Sequence, residues 1–239
     1  MNCIERGKVK AIEYSVIGQN HVMAGLENQD SILTEVLSDE VGFMVLADGV
    51  SSADKSKQGS VAATEVIREL CSEISKSEFE DIDLDDLKIH IVRNWKSKFE
   101  NQWNDYATTL NFIIFFKNII LVGQIGDGLV VLNIDGANVV FTEETDFYST
   151  ETDALGEQVR KSAFRIEKIS YKDCFWAYMA TDGIGKEVAE ESRIGLGEYL
   201  STMLKNNVEE IEKELKPWID GLGNKNGDDK SIGFIRMEA

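Results

Sequence analysis

From residue 107 to residue 144 four apolar stretches follow one another, ATTLNFIIFF, NIILVGQIGD, LVVLNIDG and NVVFTEE, with gaps too short to hold a helix. A parallel pair of strands needs a crossover of a dozen or more residues, so neighbours joined this tightly must run antiparallel. Lys117-Asn118 and Asp135-Gly136 punctuate the run, and Asp-Gly between apolar stretches is the strongest short-range signal for a hairpin. The stretch therefore predicts an antiparallel meander and excludes a βαβ series.

The rest of the chain can be placed around that meander. Residues 10–18 alternate well enough for a strand, with Val9, Ile12, Tyr14 and Val16 pointing inward. Residues 19–30 read as a polar loop ending on Asp30, and residues 31–36 and 42–47 as strands joined at Ser38-Asp39-Glu40. Val61, Ala62, Val66, Ile67 and Leu70 recur with helical period over residues 58–74, where Gly59, Ala62 and Ala63 allow close packing on a sheet. The acidic run 78–86 caps a second helix over 84–103, with Leu87, Ile91, Trp95 and Phe99 on one face. Strands at 163–169 and 175–180, a short helix within 183–197 and a longer one over 198–215 follow; Pro217 should stop the last helix. Residues 231–237 form the final strand.

There is no internal repeat or linker, so a single domain over 1–239 is expected. Antiparallel runs interrupted by segregated helix pairs predict an α+β fold, two sheets face to face and covered by helices.

Charge narrows the partners. Forty-three acids against 25 basic residues give a formal charge of −18, which repels nucleic acid and anionic membrane surfaces. Cys3, Cys71 and Cys174 are scattered and odd in number, a pattern without disulfide framework or zinc cluster. The first residues mix charges with apolar side chains, and apolar runs such as 112–116 are far too short to span a bilayer. A cytoplasmic location is expected.

Acids sit at strand ends in three distant places. Val45-Leu46-Ala47-Asp48-Gly49 and Tyr178-Met179-Ala180-Thr181-Asp182-Gly183 both deliver Asp-Gly from an apolar strand, and Gly227-Asp228-Asp229-Lys230-Ser231 opens the last one. Carboxylates gathered this way suit a cleft for a hard cation: oxygen ligands without neighbouring His or Cys favour Mg²⁺ or Mn²⁺ over zinc. Without metal they would repel one another and raise at least one pKa.

Taken in order, Asn28-Gln29-Asp30, Val45 to Gly49 with its Ser-rich turn and Gly59-Ser60-Val61-Ala62, Ala107-Thr108-Thr109-Leu110, Ile125-Gly126-Asp127-Gly128, Thr181-Asp182-Gly183 and Asp228-Asp229-Lys230-Ser231 resemble the 2C-type (PPM-type) metal-dependent serine/threonine protein phosphatases. The likeness covers residues 28–231 and is nearest to divergent bacterial members with Gln-Asp in place of Glu-Asp. It implies a four-layer α-β-β-α sandwich with two Mg²⁺ or Mn²⁺ ions at one end. Asp48 would bridge both ions, the Gly49 carbonyl would bind one, and Asp182 and Asp228 would complete the ligands. Asp30 would hold water bound to the metals. The implied reaction is hydrolysis of phosphoserine or phosphothreonine in a protein substrate, supplied by a Ser/Thr kinase, through activated water and no phosphoenzyme.

The chain departs from the family in three places. The arginine that usually holds substrate phosphate is replaced by Gly25, leaving His21, Lys55 and Lys57 as candidates for its task. A third cation in many bacterial relatives would use Asp127 and an acid where this chain has Lys186, so two ions rather than three are expected. Val50 stands where eukaryotic members have a histidine, so no general acid is assigned. These gaps keep two alternatives open: a binding or signalling module on the same fold, and a small-molecule phosphatase. Plainer readings apply to other residues. Asp127-Gly128 reads equally as a tight turn, Asp229 as a turn cap or solvated acid, and His21 as a locally bonded side chain. His90 reads as surface or packing, Trp95, Phe99 and Trp103 as core, and Cys174 as a buried small hydrophobe.

Overall fold

The structure, a computed structural model, describes residues 1–75, 82–142, 153–206, 208–222 and 227–238. Among these residues eleven strands form two antiparallel sheets. They are β1 (Asn2–Arg6), β2 (Val9–Val16), β3 (Ser31–Ser38), β4 (Val41–Ala47), β5 (Leu110–Phe116), β6 (Ile119–Ile125), β7 (Leu129–Ile134), β8 (Ala137–Phe141), β9 (Arg165–Ser170), β10 (Phe175–Ala180) and β11 (Lys230–Met237). One sheet has the order β1-β2-β11-β10-β7-β8, the other β3-β4-β5-β6-β9.

The expected meander forms as two hairpins that belong to different sheets. β5 pairs with β6 and β7 with β8, but β6 goes on to pair with β9 and β7 with β10. The chain changes sheets at Gly126-Asp127-Gly128. Gly126 has φ +98°, and a Cβ there would stand 2.5 Å from Thr109 Cγ2, so glycine permits both the turn and the close crossing. Spacing alone could not separate this crossing from a third hairpin. At the β7–β8 turn, Asp135 and Gly136 have φ 50° and 89°, the left-handed pair that Asp-Gly hairpins use.

Period-two alternation sorts the side chains into three cores. In β4, Phe43, Val45 and Ala47 face the helices while Met44 and Leu46 face the opposing sheet. In β10, Phe175, Ala177 and Met179 fill the space between sheets, and Trp176, Tyr178 and Ala180 pack under helices on the other side. β2 is likewise buried on both faces: Val9 and Ala11 join the inter-sheet core and Ile12 and Tyr14 the outer one. The single inward set expected for this strand is therefore two sets. Each fully buried aliphatic or Phe side chain contributes roughly 1.5–3 kcal/mol, which makes these layers the main source of stability.

Helices α1 (Gln19–Ala24), α2 (Ser56–Ile74), α3 (Leu84–Ser97), α4 (Asp182–Gly185), α5 (Arg193–Asn206) and α6 (Val208–Gly221) complete the fold. α2 and α3 cover the β3-to-β9 sheet, and α5 and α6 cover the other, giving the four-layer α-β-β-α sandwich. Several expectations are corrected here. Residues 19–24 are a short helix rather than loop, anchored where Gly25 (φ +70°) turns the chain. Val61 is 41% exposed, because Ala62, Ala63, Val66 and Ile67 define the buried stripe of α2 and Val61 lies outside it. α3 ends at Ser97; Phe99 lies beyond it, stacked on Tyr106 with ring centroids 3.8 Å apart. Asp83 caps α3 through the Asp85 and Asp86 N–H groups, and residues 78–81 of the acidic run lie outside the described ones.

The expected long helix over 198–215 is two helices, and Pro217 lies inside α6 rather than ending it. The proline removes one backbone donor, but burial of Ile211, Leu215 and Ile219 against the sheet carries the helix through to Gly221. Cys174 is half-buried rather than buried, its N–H donating to Asp135 Oδ1. His90 is half-buried and hydrogen-bonded to Asn94, as a packing residue. Residues 143 and 144 of the fourth apolar stretch lie outside the described residues.

Gly59 shows how tightly α2 sits. Its carbonyl accepts from Trp95 Nε1 at 3.0 Å, and a Cβ at this position would stand 1.7 Å from the Tyr106 carbonyl oxygen. Alanine is intrinsically better in a helix by about 1 kcal/mol, but forcing the contact costs about 1–3 kcal/mol. Gly59→Ala is therefore expected to lower the urea unfolding midpoint. An unchanged or raised midpoint would contradict the packing described.

Candidate metal centre

Strand register brings the acids together. Ala47 at the end of β4 pairs with Ser31 at the start of β3, which places Asp48 beside Asp30. In the other sheet Ala180 at the end of β10 pairs with both Ile232 of β11 and Leu129 of β7. Asp182, Asp228 and Asp127 therefore leave that sheet at one end, the end at which the Gly126–Gly128 crossing meets the first sheet. Five acids from both sheets thus share one end of the sandwich.

Asp48 and Asp182 are fixed by the backbone around them, and Asp30 by a threonine hydroxyl. The Asp48 N–H donates to Thr109 Oγ1 at 2.9 Å, and its carbonyl accepts from the Thr109 N–H and the Thr108 hydroxyl, both at 2.8 Å. Gly49 bridges to Thr108, and a Cβ on it would stand 2.8 Å from Ser56 Cβ, so glycine lets α2 start directly beside the site. Asp182 opens α4, whose Ile184 and Gly185 N–H groups return to the Thr181 carbonyl. The Thr181 hydroxyl accepts from the Ser231 N–H and donates to Asp30 Oδ2, both at 3.0 Å, and so links the two sheets.

Asp229, read from sequence as a turn cap or solvated acid, is instead 1% exposed. It accepts from the Gly18 N–H at 2.6 Å and the Gln29 N–H at 2.5 Å, and pairs with His21 Nδ1 at 2.8 Å. It ties the end of β2, α1 and the loop before Asp30 to the start of β11. His21 likewise bonds a partner 208 residues away, not a local one. Lys55 donates to the Tyr106 hydroxyl and Lys57 to the Asp30 carbonyl. The three candidates for the missing arginine's task are thus engaged within the fold. The sequence offered one signal for Asp229: adjacent acids opening a buried strand must send one side chain inward. Nothing marked His21 as its partner.

Burial and mutual repulsion dominate the electrostatics. Asp48 is pushed well above the usual carboxylate range, first by burial and then by the charges of Asp30, Asp182, Asp228 and Asp127. Burial pushes Asp30 up to about 7, against the hydroxyls of Ser231 and Thr181, which lower it. Asp228 is raised by burial and by Asp182. Lys186 reaches across the cluster, 3.2 Å from Asp127 Oδ2 and hydrogen-bonded to Asp182 Oδ2. Burial works to lower its pKa, but those two carboxylates outweigh it and hold the ammonium protonated.

Among the described residues no three His, Cys, Asp or Glu side chains stand close enough to grip one ion. Lys186 bonds two of the carboxylates, those of Asp127 and Asp182. The donor set nevertheless fits a hard divalent cation. It is all oxygen, with Asp30 buried and the other four acids half-buried, and the buried Oδ1 atoms of Asp30 and Asp182 have no hydrogen-bond partner.

A family model described as Protein phosphatase 2C matches residues 17–220. No curated protein matches the sequence. Solved structures similar over nearly the whole chain include RsbX in complex with magnesium, at 15% identity and TM-score 0.66, covering 99% of both chains. The catalytic domain of the serine/threonine protein phosphatase PstP with two manganese ions aligns at 18% identity and TM-score 0.68, over 97% of this chain and 99% of that one. The serine/threonine phosphatase of S. agalactiae aligns at 16% identity and TM-score 0.64, over 96% and 100%. At these identities the likeness is one of fold.

The raised carboxylates set a pH dependence. Asp30 and Asp48 have folded-state values above their unfolded ones, so ionising them destabilises the fold and the cost grows as pH rises from about 4 towards 7. The melting temperature of the metal-free protein should fall across that window, and Asp48→Asn should raise it by several degrees at pH 7.5 but much less at pH 5. Equal shifts at both pH values would contradict the repulsion.

Proposed function

The chain belongs to the protein phosphatase 2C family, and from that premise we propose that it hydrolyses phosphoserine or phosphothreonine in proteins at a centre for two Mg²⁺ or Mn²⁺ ions. The observation that carries this reading is the convergence of Asp30, Asp48, Asp127, Asp182 and Asp228 at one end of the sandwich, with Asp48 half-buried within reach of the charges of the other four. Acids gathered this closely repel one another and lower stability, so their gathering calls for a cation to offset it.

Asp48, the Gly49 carbonyl, Asp182 and Asp228 would hold the ions. Bound there, hard divalent cations acidify water and withdraw charge from a phosphoryl oxygen. The chain's own residues do the positioning. Thr108 and Thr109 fix the Asp48 backbone, so its carboxylate is aimed by the sheet rather than by a loop. Asp30, held at Oδ2 by Thr181, keeps Oδ1 free to accept a hydrogen bond from the attacking water and orient it. The Lys186 ammonium lies on Asp127 and Asp182, where it disfavours a further cation. The substrate is a phosphoprotein, which a Ser/Thr kinase would supply. No helix among the described residues is long and apolar enough to cross a membrane.

The test is release of phosphate from p-nitrophenyl phosphate and from a phosphothreonine peptide with Mn²⁺. Activity should be lost with chelator and fall at least about 100-fold in Asp48→Ala and Asp182→Ala, on the scale of removing a stabilising charge partner. Hydrolysis of neither substrate with any divalent metal would overturn the reading and leave a binding module on the same fold. Hydrolysis of p-nitrophenyl phosphate alone would favour a small-molecule phosphatase.

A further inference from the structure

The centre is a gathering of acids, and a phosphate ester brought to it carries negative charge of its own. Among the described residues one ammonium is bonded to carboxylates of the centre: Lys186, whose Nζ lies 3.2 Å from Asp127 Oδ2 and donates to Asp182 Oδ2. Resting on the function proposed above, we propose that Lys186 is a phosphate-binding residue. Its ammonium donates to an oxygen of the substrate phosphate while Asp127 and Asp182 hold it in place.

An ammonium has three N–H donors and no acceptor. Asp127 and Asp182 take two of them, and the side chain is 55% exposed, so the third is open to an incoming oxygen. The position of the lysine is set at both ends. Its backbone N–H donates to the Asp182 carbonyl at 3.0 Å, and α4 before it is closely packed. A Cβ on Gly183 would stand 2.1 Å from the Asp229 carbonyl oxygen, and one on Gly185 3.2 Å from Leu129 Cβ. The head is drawn across to Asp127 at the Gly126–Gly128 crossing. A flexible four-carbon stem is thus ordered before any ligand arrives, and binding is spared that entropy loss. The two oxygens of Asp182 are divided in use. Oδ2 accepts from Lys186, while Oδ1 is buried without a hydrogen-bond partner and is left for a cation. The ammonium therefore shares a carboxylate with the proposed metal position and stands beside it. Lysine suits the task, since it binds phosphate as a compact point charge. Lys57 and Lys55 bond the Asp30 carbonyl and the Tyr106 hydroxyl, and neither bonds a carboxylate of the centre.

The test titrates inorganic phosphate calorimetrically into the protein with Mn²⁺ present. Wild type should bind phosphate, and Lys186→Gln should bind it at least about tenfold more weakly, the size of one hydrogen bond to a charged group. Lys186→Arg keeps the positive charge and should stay within about fivefold of wild type. Lys172→Gln removes an exposed lysine from the β9–β10 turn, at the end of the sheet away from the centre, and should change nothing. Mn²⁺ should bind Lys186→Gln as tightly as wild type or more so, because a competing cation is gone. No phosphate binding by wild type, equal affinity in Lys186→Gln, or an equal loss in Lys186→Arg or Lys172→Gln would overturn the inference. So would a loss of phosphate in Lys186→Gln that comes with a loss of Mn²⁺, which would make the lysine a support of the metal position alone. Hydrolysis of p-nitrophenyl phosphate, measured in parallel, judges the function separately. Activity in wild type with a phosphate affinity that Lys186→Gln leaves untouched keeps the function and rejects the inference. Phosphate held through Lys186 without hydrolysis of any substrate rejects the function and keeps the binding site.

Discussion

Gathering carboxylates at one half-buried end of the sandwich is the constraint around which the rest of this structure is arranged. Asp48 is surrounded by four other acids and is pushed far from its ordinary pKa by burial and by their charges. Such an arrangement persists only if other interactions hold the backbone in place. Here three buried layers of apolar side chains supply the general stability, and a small set of polar contacts does the local work. Thr108 and Thr109 clamp Asp48, Thr181 links Asp30 to Ser231, and Asp229 gathers Gly18, His21 and Gln29. The two adjacent acids Asp228 and Asp229 divide the labour: one faces the cluster, and the other is buried as a tie between strands. Lys186, lying on Asp127 and Asp182, neutralises part of the charge.

Much of this was legible in the sequence because strands announce themselves by alternation and acids at their ends are easy to mark. The apolar run to Ala47, the Asp-Gly that follows and the final strand after Asp228 are all where their pattern places them. What was hidden depends on contacts distant in sequence. The change of sheet at Gly126 looks like any other turn until the close approach of Thr109 is seen. Asp229 and His21 lie 208 residues apart, and neither carries a local sign of burial. Helix ends were the weakest reading. α3 stops before Phe99, whose aromatic contacts mimic helical spacing, and α6 runs past Pro217 because burial of Ile219 outweighs one lost hydrogen bond.

The acidic end suits hard cations, because all of its donors are oxygen. His21, Lys55 and Lys57 each have a hydrogen-bond partner in the fold: Asp229, the Tyr106 hydroxyl and the Asp30 carbonyl.

The central claim, that the fold assembles these acids to hold divalent cations, is tested most directly by calorimetric titration of Mn²⁺ into the metal-free protein. The account predicts saturable binding of about two ions per chain, as a paired-ion centre requires, and loss of that binding in Asp48→Ala with the fold intact by circular dichroism. Absence of binding, or binding that Asp48→Ala leaves unchanged, would contradict it.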